Sequence, residues 1–296
     1  PFLQASLVPI FLGGILAWEF TGLFNWAIFL LALLGGALVQ VATNMFNDYF
    51  DYKSGNDLKV KHRNPFAGGG RILTAGLVSL RSHLLVSSAS LVIGCTIGFY
   101  FLFTLNVPYL FWIGLVGVLS SYFYVGPPFR LAYRGVGEFF VGLNFGPIMT
   151  LGTYYVLTRS LDPRPVLASI PIGLLVTAIL WINEFPDMDA DKAVGKKTLV
   201  LRLGYSKSVA IYTGLVVLSY ALVVAYIFLG VFPLKYVTTL LVFLTLPVAL
   251  KSVKTLRMHY HDPHAMIPAN AGTIMLHLSF GILMMIGFAL GGLLSF

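Results

Sequence analysis

Residues 25–57 read NWAIFLLALLGGALVQVATNMFNDYFDYKSGND, and this stretch decides the class of fold. From Trp26 to Ala42 the only polar side chain is Gln40. A helix needs roughly 20 such residues to cross the hydrocarbon core of a bilayer. Lipid offers no hydrogen-bond partner to the backbone, so a run of this kind is stable there only as a helix. The character then changes: Asn44, Asn47, Asp48, Asp51 and Asp57 follow in quick succession. An apolar span therefore ends in a ladder of oxygen-bearing side chains at the membrane surface.

The same apolar pattern recurs along the chain. Runs near 3–20, 25–47, 83–104, 107–125, 136–158, 166–186, 208–230, 232–250 and 267–295 predict about nine transmembrane helices in one bundle. Of 296 residues, 58% are hydrophobic and 10% charged, with a mean hydropathy of +0.87. Soluble domains carry about 25% charged residues. The expectation is an all-α integral membrane protein, a single domain over residues 1–296, with no soluble domain between spans. Pro1 opens directly on an apolar run with no signal-peptide pattern, so the natural start is expected upstream. The single cysteine, Cys95, falls inside the third run, which excludes an intrachain disulfide and reads as core.

The net charge of +8 is a topology signal. Sixteen of the 19 Lys and Arg lie in the loops between spans 2 and 3, 4 and 5, 6 and 7, and 8 and 9. Only Arg159, Arg164 and Lys235 lie on the other side. Positive residues stay in the cytoplasm, which places the N-terminus there and the C-terminus outside. The lipid bilayer itself is then the implied partner of the basic face. No basic soluble domain exists to bind nucleic acid, and no obligate protein partner is indicated.

Seven of the eleven Asp and Glu fall in two places. The first group is Asp48, Asp51 and Asp57; the second is Glu184, Asp187, Asp189 and Asp191. Asn44 and Asp48 are four apart with Asp51 three further on, and Asn183, Asp187 and Asp191 are spaced by four and four. On a helix such residues share a face. Like charges stacked this way need a cation, and oxygen donors without Cys or His select a hard ion such as Mg²⁺ or Ca²⁺. Mg²⁺ takes one or two protein carboxylates and completes its shell with water and phosphate. Two ladders beside Lys and Arg describe a cradle for Mg²⁺ and a diphosphate. A transporter would place its ionisable groups near the bilayer midplane instead. Gly68-Gly69-Gly70 reads as a loop rather than a nucleotide fingerprint, and His259, His261 and His264 fit no zinc spacing. His277, inside the last span, reads as core or pocket wall.

On these motifs the chain resembles the UbiA superfamily of intramembrane prenyltransferases. That family carries Asn-Asp-x₂-Asp-x₃-Asp after its second helix and Asp-x₃-Asp after its sixth. Asn47-Asp48-x₂-Asp51 matches the first three positions of the former; the fourth falls on Gly55, with Asp57 two residues later. Asp187-x₃-Asp191 matches the latter in full. The stretches Gly126–Glu138, Phe145-Gly146-Pro147, Gly152–Tyr155 and Gly195–Gly204 look like the branch that prenylates 1,4-dihydroxy-2-naphthoate on the way to menaquinone. The resemblance covers nearly the whole chain.

It implies transfer of a polyprenyl group from an allylic diphosphate to an aromatic acceptor. The implied acceptor is 1,4-dihydroxy-2-naphthoate; 4-hydroxybenzoate and geranylgeranylglyceryl phosphate are the alternatives. Asp48, Asp51, Asp187 and Asp191 would be catalytic, holding Mg²⁺ together with Asp57. Asn44, Asn47, Lys53, Arg63, Arg71, Tyr122, Arg134, Asn144, Asn183, Lys192 and Lys197 would contact substrate. The site would face the cytoplasm from the cell membrane. Ionisation leaves an allylic cation, which aromatic rings stabilise; Tyr124, Tyr133, Tyr154 and Tyr155 join Tyr122 as candidates. The prenyl tail, as apolar as lipid, is expected in a cleft between helices.

Overall fold

A computed structural model describes residues 2–60, 65–66 and 71–294, with only the backbone of Arg71. Among them every regular element is helical. Helix α1 (Gln4–Thr21) leads to α2 (Trp26–Ser54), whose cap residue Asn25 accepts the Ile28 N–H at 3.1 Å. The apolar pattern of α2 stops at 47, yet the helix continues to Ser54 and ends at Gly55 (φ 79°). Asp48 and Asp51 therefore ride on a helical extension, not on a loop. Short helices α3 (Asn56–Lys59) and α4 (Arg71–Thr74) precede α5 (Leu80–Leu105) and α6 (Leu110–Phe123).

After a 3₁₀ turn at Leu131–Arg134 comes one rod in three pieces: α7 (Gly137–Leu143), a π turn (Asn144–Ile148) and α8 (Met149–Thr158). Pro147 has no N–H to offer the preceding turn, and the wider turn accommodates it. Helix α9 (Pro163–Ala193) is capped by Asp162, with Pro163 at its first position. It also outruns its predicted end at 186 and carries the second acid ladder. Then follow α10 (Leu199–Phe228), a 3₁₀ segment Leu234–Thr245 continuing into α11 (Leu246–His259), and α12 (Ile267–Leu293).

Among the described residues seven helical stretches are long and apolar enough to cross a membrane: α1, α2, α5, α9, α10, Leu234–His259 and α12. The expected nine is thus an approximation. The other two runs are helical, but α6 has 14 residues, about 21 Å at 1.5 Å per residue, and the fifth is interrupted at the π turn.

Helix α9 is the axis of the bundle, packing on α7, the π turn, α8, α10, α12 and α1. The core joins Leu12 and Leu16 of α1, Ile172, Leu175 and Ile182 of α9, Tyr212 of α10, and Phe280 and Phe288 of α12. Small residues let rods approach: a Cβ on Gly146 would fall 2.8 Å from the Gly173 Cα, and one on Gly142 would meet the Thr177 hydroxyl. Large apolar side chains also cover the outside, with Trp26, Phe103, Trp112 and Leu244 more than half exposed. That surface suits lipid and not water. Helices α1, α2, α5, α6 and the α7–α8 rod enclose space beside α9 that α10 and α12 do not line.

Candidate active site

The two extended helices α2 and α9 bring the acid ladders to one place. Asn44, Asn47, Asp48 and Asp51 of α2, Asp57 of α3, and Asn183, Glu184, Asp187 and Asp191 of α9 line the mouth of a single cavity of about 950 Å³. Ten sequence-designated residues therefore line it: these without Glu184, plus Asn144 from the π turn and Tyr124. Below the acids the walls turn apolar and small, with Gly35, Gly94, Gly98, Gly114, Gly117 and Gly152 alongside Phe101, Ile113 and Val156.

The ladders are joined by a cation that the motif reading passed over. Helix α9 ends in a tight turn in which Lys196 N–H reaches back to the Asp191 carbonyl at 2.9 Å. The turn needs φ +76° at Gly195, a conformation that glycine adopts without Cβ strain. Lys196 is folded inward by it and lies 7% exposed. Its Nζ donates to Asp51 Oδ2 at 2.8 Å and lies 3.4 Å from Asp191 Oδ1. Asn56 Nδ2 adds a bond to Asp191 Oδ1 at 3.0 Å. Burial alone would lower the Lys196 pKa, but the Asp51 and Asp191 carboxylates outweigh it and hold the ammonium well above its ordinary value. The legible signal was Gly195 directly after a helix, which turns the next side chain back on the helix end. Lys192 and Lys197, the expected candidates, are both exposed and outside the cavity lining.

Other substrate candidates also lie elsewhere. Lys53 is exposed, stands 5.8 Å over the Tyr49 ring, and borders a separate pocket of about 240 Å³ with Arg130 and Tyr133. Arg134 serves the loop: its Nε donates to Phe129 O at 2.6 Å, and its carbonyl accepts from Arg202 at 2.8 Å. Tyr122 packs edge-on against Phe46 and Phe50 outside the lining. Tyr154 and Tyr155 are buried in core clusters. Of the five tyrosines only Tyr124 lines the cavity; Tyr133 lies between Arg130 and Lys196 at 5.5 and 5.6 Å. Arg63, the Gly68–Gly70 run and the side chain of Arg71 lie outside the described residues.

The asparagines that open each ladder are held by neighbours. Gln40 Nε2 donates to Asn44 Oδ1 at 3.3 Å, and Asn270 Nδ2 of α12 donates to Asn183 Oδ1 at 2.8 Å. His277, one helical face along α12, is fully buried core. A second acidic pair adjoins the ladders: Glu138 of α7, 2% exposed, accepts the Leu199 N–H at 2.6 Å and lies against Glu184. Glu184 was visible as an acid but fell off the every-fourth ladder. Glu138 was only one letter in an apolar helix.

The donor set suits a hard cation. Every ligand candidate is oxygen, and the buried Asp51 Oδ1 has no hydrogen-bond donor. Among the described residues no three Asp, Glu, His or Cys groups form a preassembled cage.

The UbiA prenyltransferase family model matches residues 6–266. The chain is 32% identical to the 1,4-dihydroxy-2-naphthoate octaprenyltransferase of Bacillus subtilis, over 96% of this chain and 88% of that one. It is 28% identical to the 2-carboxy-1,4-naphthoquinone phytyltransferase of Synechocystis, over 99% and 92%. Its fold is shared with a UbiA homolog from Aeropyrum pernix, at a TM-score of 0.70 and 18% identity over 97% and 96% of the two chains. A UbiA homolog from Archaeoglobus fulgidus, bound to DMAPP and Mg²⁺, aligns at a TM-score of 0.61 and 16% identity over 96% and 97%. With its two acid ladders on one cavity and the family's pattern along most of its length, this multi-pass membrane protein belongs to the UbiA prenyltransferase family.

Proposed function

We propose that residues 1–296 act as one catalytic domain that moves a polyprenyl group from an allylic diphosphate to 1,4-dihydroxy-2-naphthoate. The observation that carries this reading is the single cavity, with acid ladders and Lys196 at its mouth and apolar walls below. A ligand charged at one end and apolar along its length matches that profile. Asp48, Asp51, Asp187 and Asp191 would hold Mg²⁺ with the diphosphate, with Asp57 beside them at the same mouth. Bound there, Mg²⁺ neutralises the leaving group and eases departure of the diphosphate. The Lys196 ammonium adds a charge-assisted donor to the same oxygens. The amides of Asn44, Asn47 and Asn183 line the same mouth. Tyr124 and Phe145 present rings to the cavity where an allylic cation needs electron density. The apolar walls keep water from quenching it.

The acceptor assignment rests on the likeness to naphthoate enzymes noted above. The charge bias supports a mouth that faces the cytoplasm, for a bundle read as lying in the cell membrane. The test incubates purified protein with geranylgeranyl diphosphate, Mg²⁺ and, separately, 1,4-dihydroxy-2-naphthoate, 4-hydroxybenzoate and geranylgeranylglyceryl phosphate, and identifies products by mass spectrometry. Prenylated naphthoate supports the reading. Product from another acceptor alone reassigns the substrate, and no Mg²⁺-dependent product from any of them sinks it.

A further inference from the structure

Four buried acceptor atoms on cavity-lining residues outside the two ladders lack a donor; Gln40 Oε1 and Asn56 Oδ1 belong to amides already bonded to Asn44 and Asp191 of the ladders, which leaves two. The first is Asn144 Oδ1. The Asn144 amide is oriented by its own bonds: Nδ2 donates to the Phe140 carbonyl at 2.8 Å and to Ser120 Oγ at 2.7 Å. A carbonyl can only accept, and the Ser120 hydroxyl is itself committed to Val116 O at 2.5 Å, so the nitrogen must lie on that side. Oδ1 is left without a donor. The second is Glu184 Oε2, on a side chain 7% exposed that lines the cavity. Behind it stand Glu138, anchored by the Leu199 N–H, and the Thr198 hydroxyl. An unmet buried acceptor is costly, which is a reason to expect a ligand donor at each.

Glu184 and Asn144 line the same cavity. Glu184 lies against Glu138, whose backbone is six residues, a rise of about 9 Å, from that of Asn144 along one helical rod. A para-dihydroxy aromatic ring with a hydrogen bond at either end covers about 10 Å. We infer that Glu184 and Asn144 form the acceptor subsite, each accepting one ring hydroxyl of a dihydroxy aromatic acceptor, and that Glu184 removes the proton from its hydroxyl. This rests on the prenyl-transfer reading and names the residues that activate its acceptor.

The allylic C–O bond breaks and its electron pair leaves with the diphosphate. The O–H bond of the acceptor breaks, its proton passes to Glu184, and its electron pair becomes a ring carbonyl. The displaced ring π pair forms the new C–C bond to the allylic carbon. The substituent on that ring carbon then leaves, as a proton or as CO₂, to restore the aromatic ring. Glu138 is the positioning residue: it holds a second carboxyl against Glu184, where the pair can share the incoming proton.

The experiment measures product formation with geranylgeranyl diphosphate, Mg²⁺ and dihydroxynaphthoate or either of its mono-O-methyl ethers. In the wild-type protein both ethers should be poor acceptors, since each leaves one site without its donor. Glu184→Gln should lower kcat by about a hundredfold, with Glu184→Asp recovering part of it. Asn144→Leu should raise the acceptor KM about tenfold and spare kcat. In all three variants the KM for the prenyl diphosphate, and the thermal stabilisation it gives with Mg²⁺, should stay at the wild-type value. Ethers prenylated at the parent rate overturn the subsite, and need no variant to do so. So does a Glu184→Gln protein within about threefold of wild type, or one that weakens the diphosphate and not the acceptor. If the wild type prenylates only acceptors without paired hydroxyls, the acceptor assignment falls together with the subsite.

Discussion

Removing the Lys196 ammonium would leave Asp51 and Asp191 facing each other in a buried space without the cation that now joins them. Breaking a buried ion pair from one side costs about 3–5 kcal/mol. Lys196→Met should therefore melt well below the wild type in detergent, and added Mg²⁺ should restore more stability to the variant than it adds to the wild type. An equal Mg²⁺ response in both would show that Lys196 and the ion do not share a place. The pH dependence follows from the raised Lys196 value. A lysine bound more tightly to its proton when folded contributes in full below its unfolded pKa, and that share is lost as pH rises through the folded one. Between pH 6 and 9 this pair should leave the melting temperature flat, with the loss appearing only in strong alkali. Asp51→Asn and Asp191→Asn should each abolish transfer with the helical circular dichroism intact, because a lost metal ligand removes several kcal/mol of leaving-group stabilisation. Near-normal turnover of either variant at saturating Mg²⁺ would remove those residues from the reaction.

At the scale of elements, the α7–π–α8 rod carries Asn144 to the cavity and Glu138 to Glu184 by lying against α9 at glycine contacts. A Cβ on Gly146 has backbone at 2.8 to 2.9 Å in Gly173 and Ser169, and backbone cannot swing aside as a side chain can. Gly146→Val should push the rod outward and cost about 1–3 kcal/mol, measured as a lower melting temperature. Acceptor KM should rise with it, and the diphosphate, held by α2 and α9, should bind as before. The helix extensions show how much of an element its apolar pattern reveals. Hydropathy marked the ends of α2 and α9 at 47 and 186, where the apolar runs stop. The backbone continued to Ser54 and Ala193 because nothing before Gly55 or Val194 breaks a helix. Even Pro186 is carried within α9, with tertiary packing on several sides to hold it.

For the whole molecule, the cavity sets which substrates fit. Gly98 and Gly114 line its apolar part, and a Cβ on either meets nothing within 4 Å. Gly114→Phe should fold normally, place a ring in the tail channel, and shorten the longest prenyl diphosphate accepted while sparing short ones. A chain-length series read by mass spectrometry checks this; unchanged use of the longest donor would place the tail elsewhere. Helices α1, α2, α5, α6, α9 and the α7–α8 rod share this one space, so a change at its base is felt through chain length and not through metal binding.

Residue chemistry alone determined the membrane class, the side on which charge collects, and the two acid ladders. Those properties are local: a long apolar run must be a helix in lipid, and carboxylates at every third or fourth position must share a face. It also singled out ten residues that the fold gathers on one cavity. It could not choose among the cations, because Lys192, Lys196 and Lys197 are chemically alike in the chain. Only the Gly195 turn buries Lys196 and leaves the other two in solvent. Nor could it join Glu138 to Glu184, or Asn270 to Asn183, which are 46 and 87 residues apart and meet through α9. Such pairings depend on which helix faces pack together, and in a chain whose helices are apolar all round, periodicity does not say which face that is.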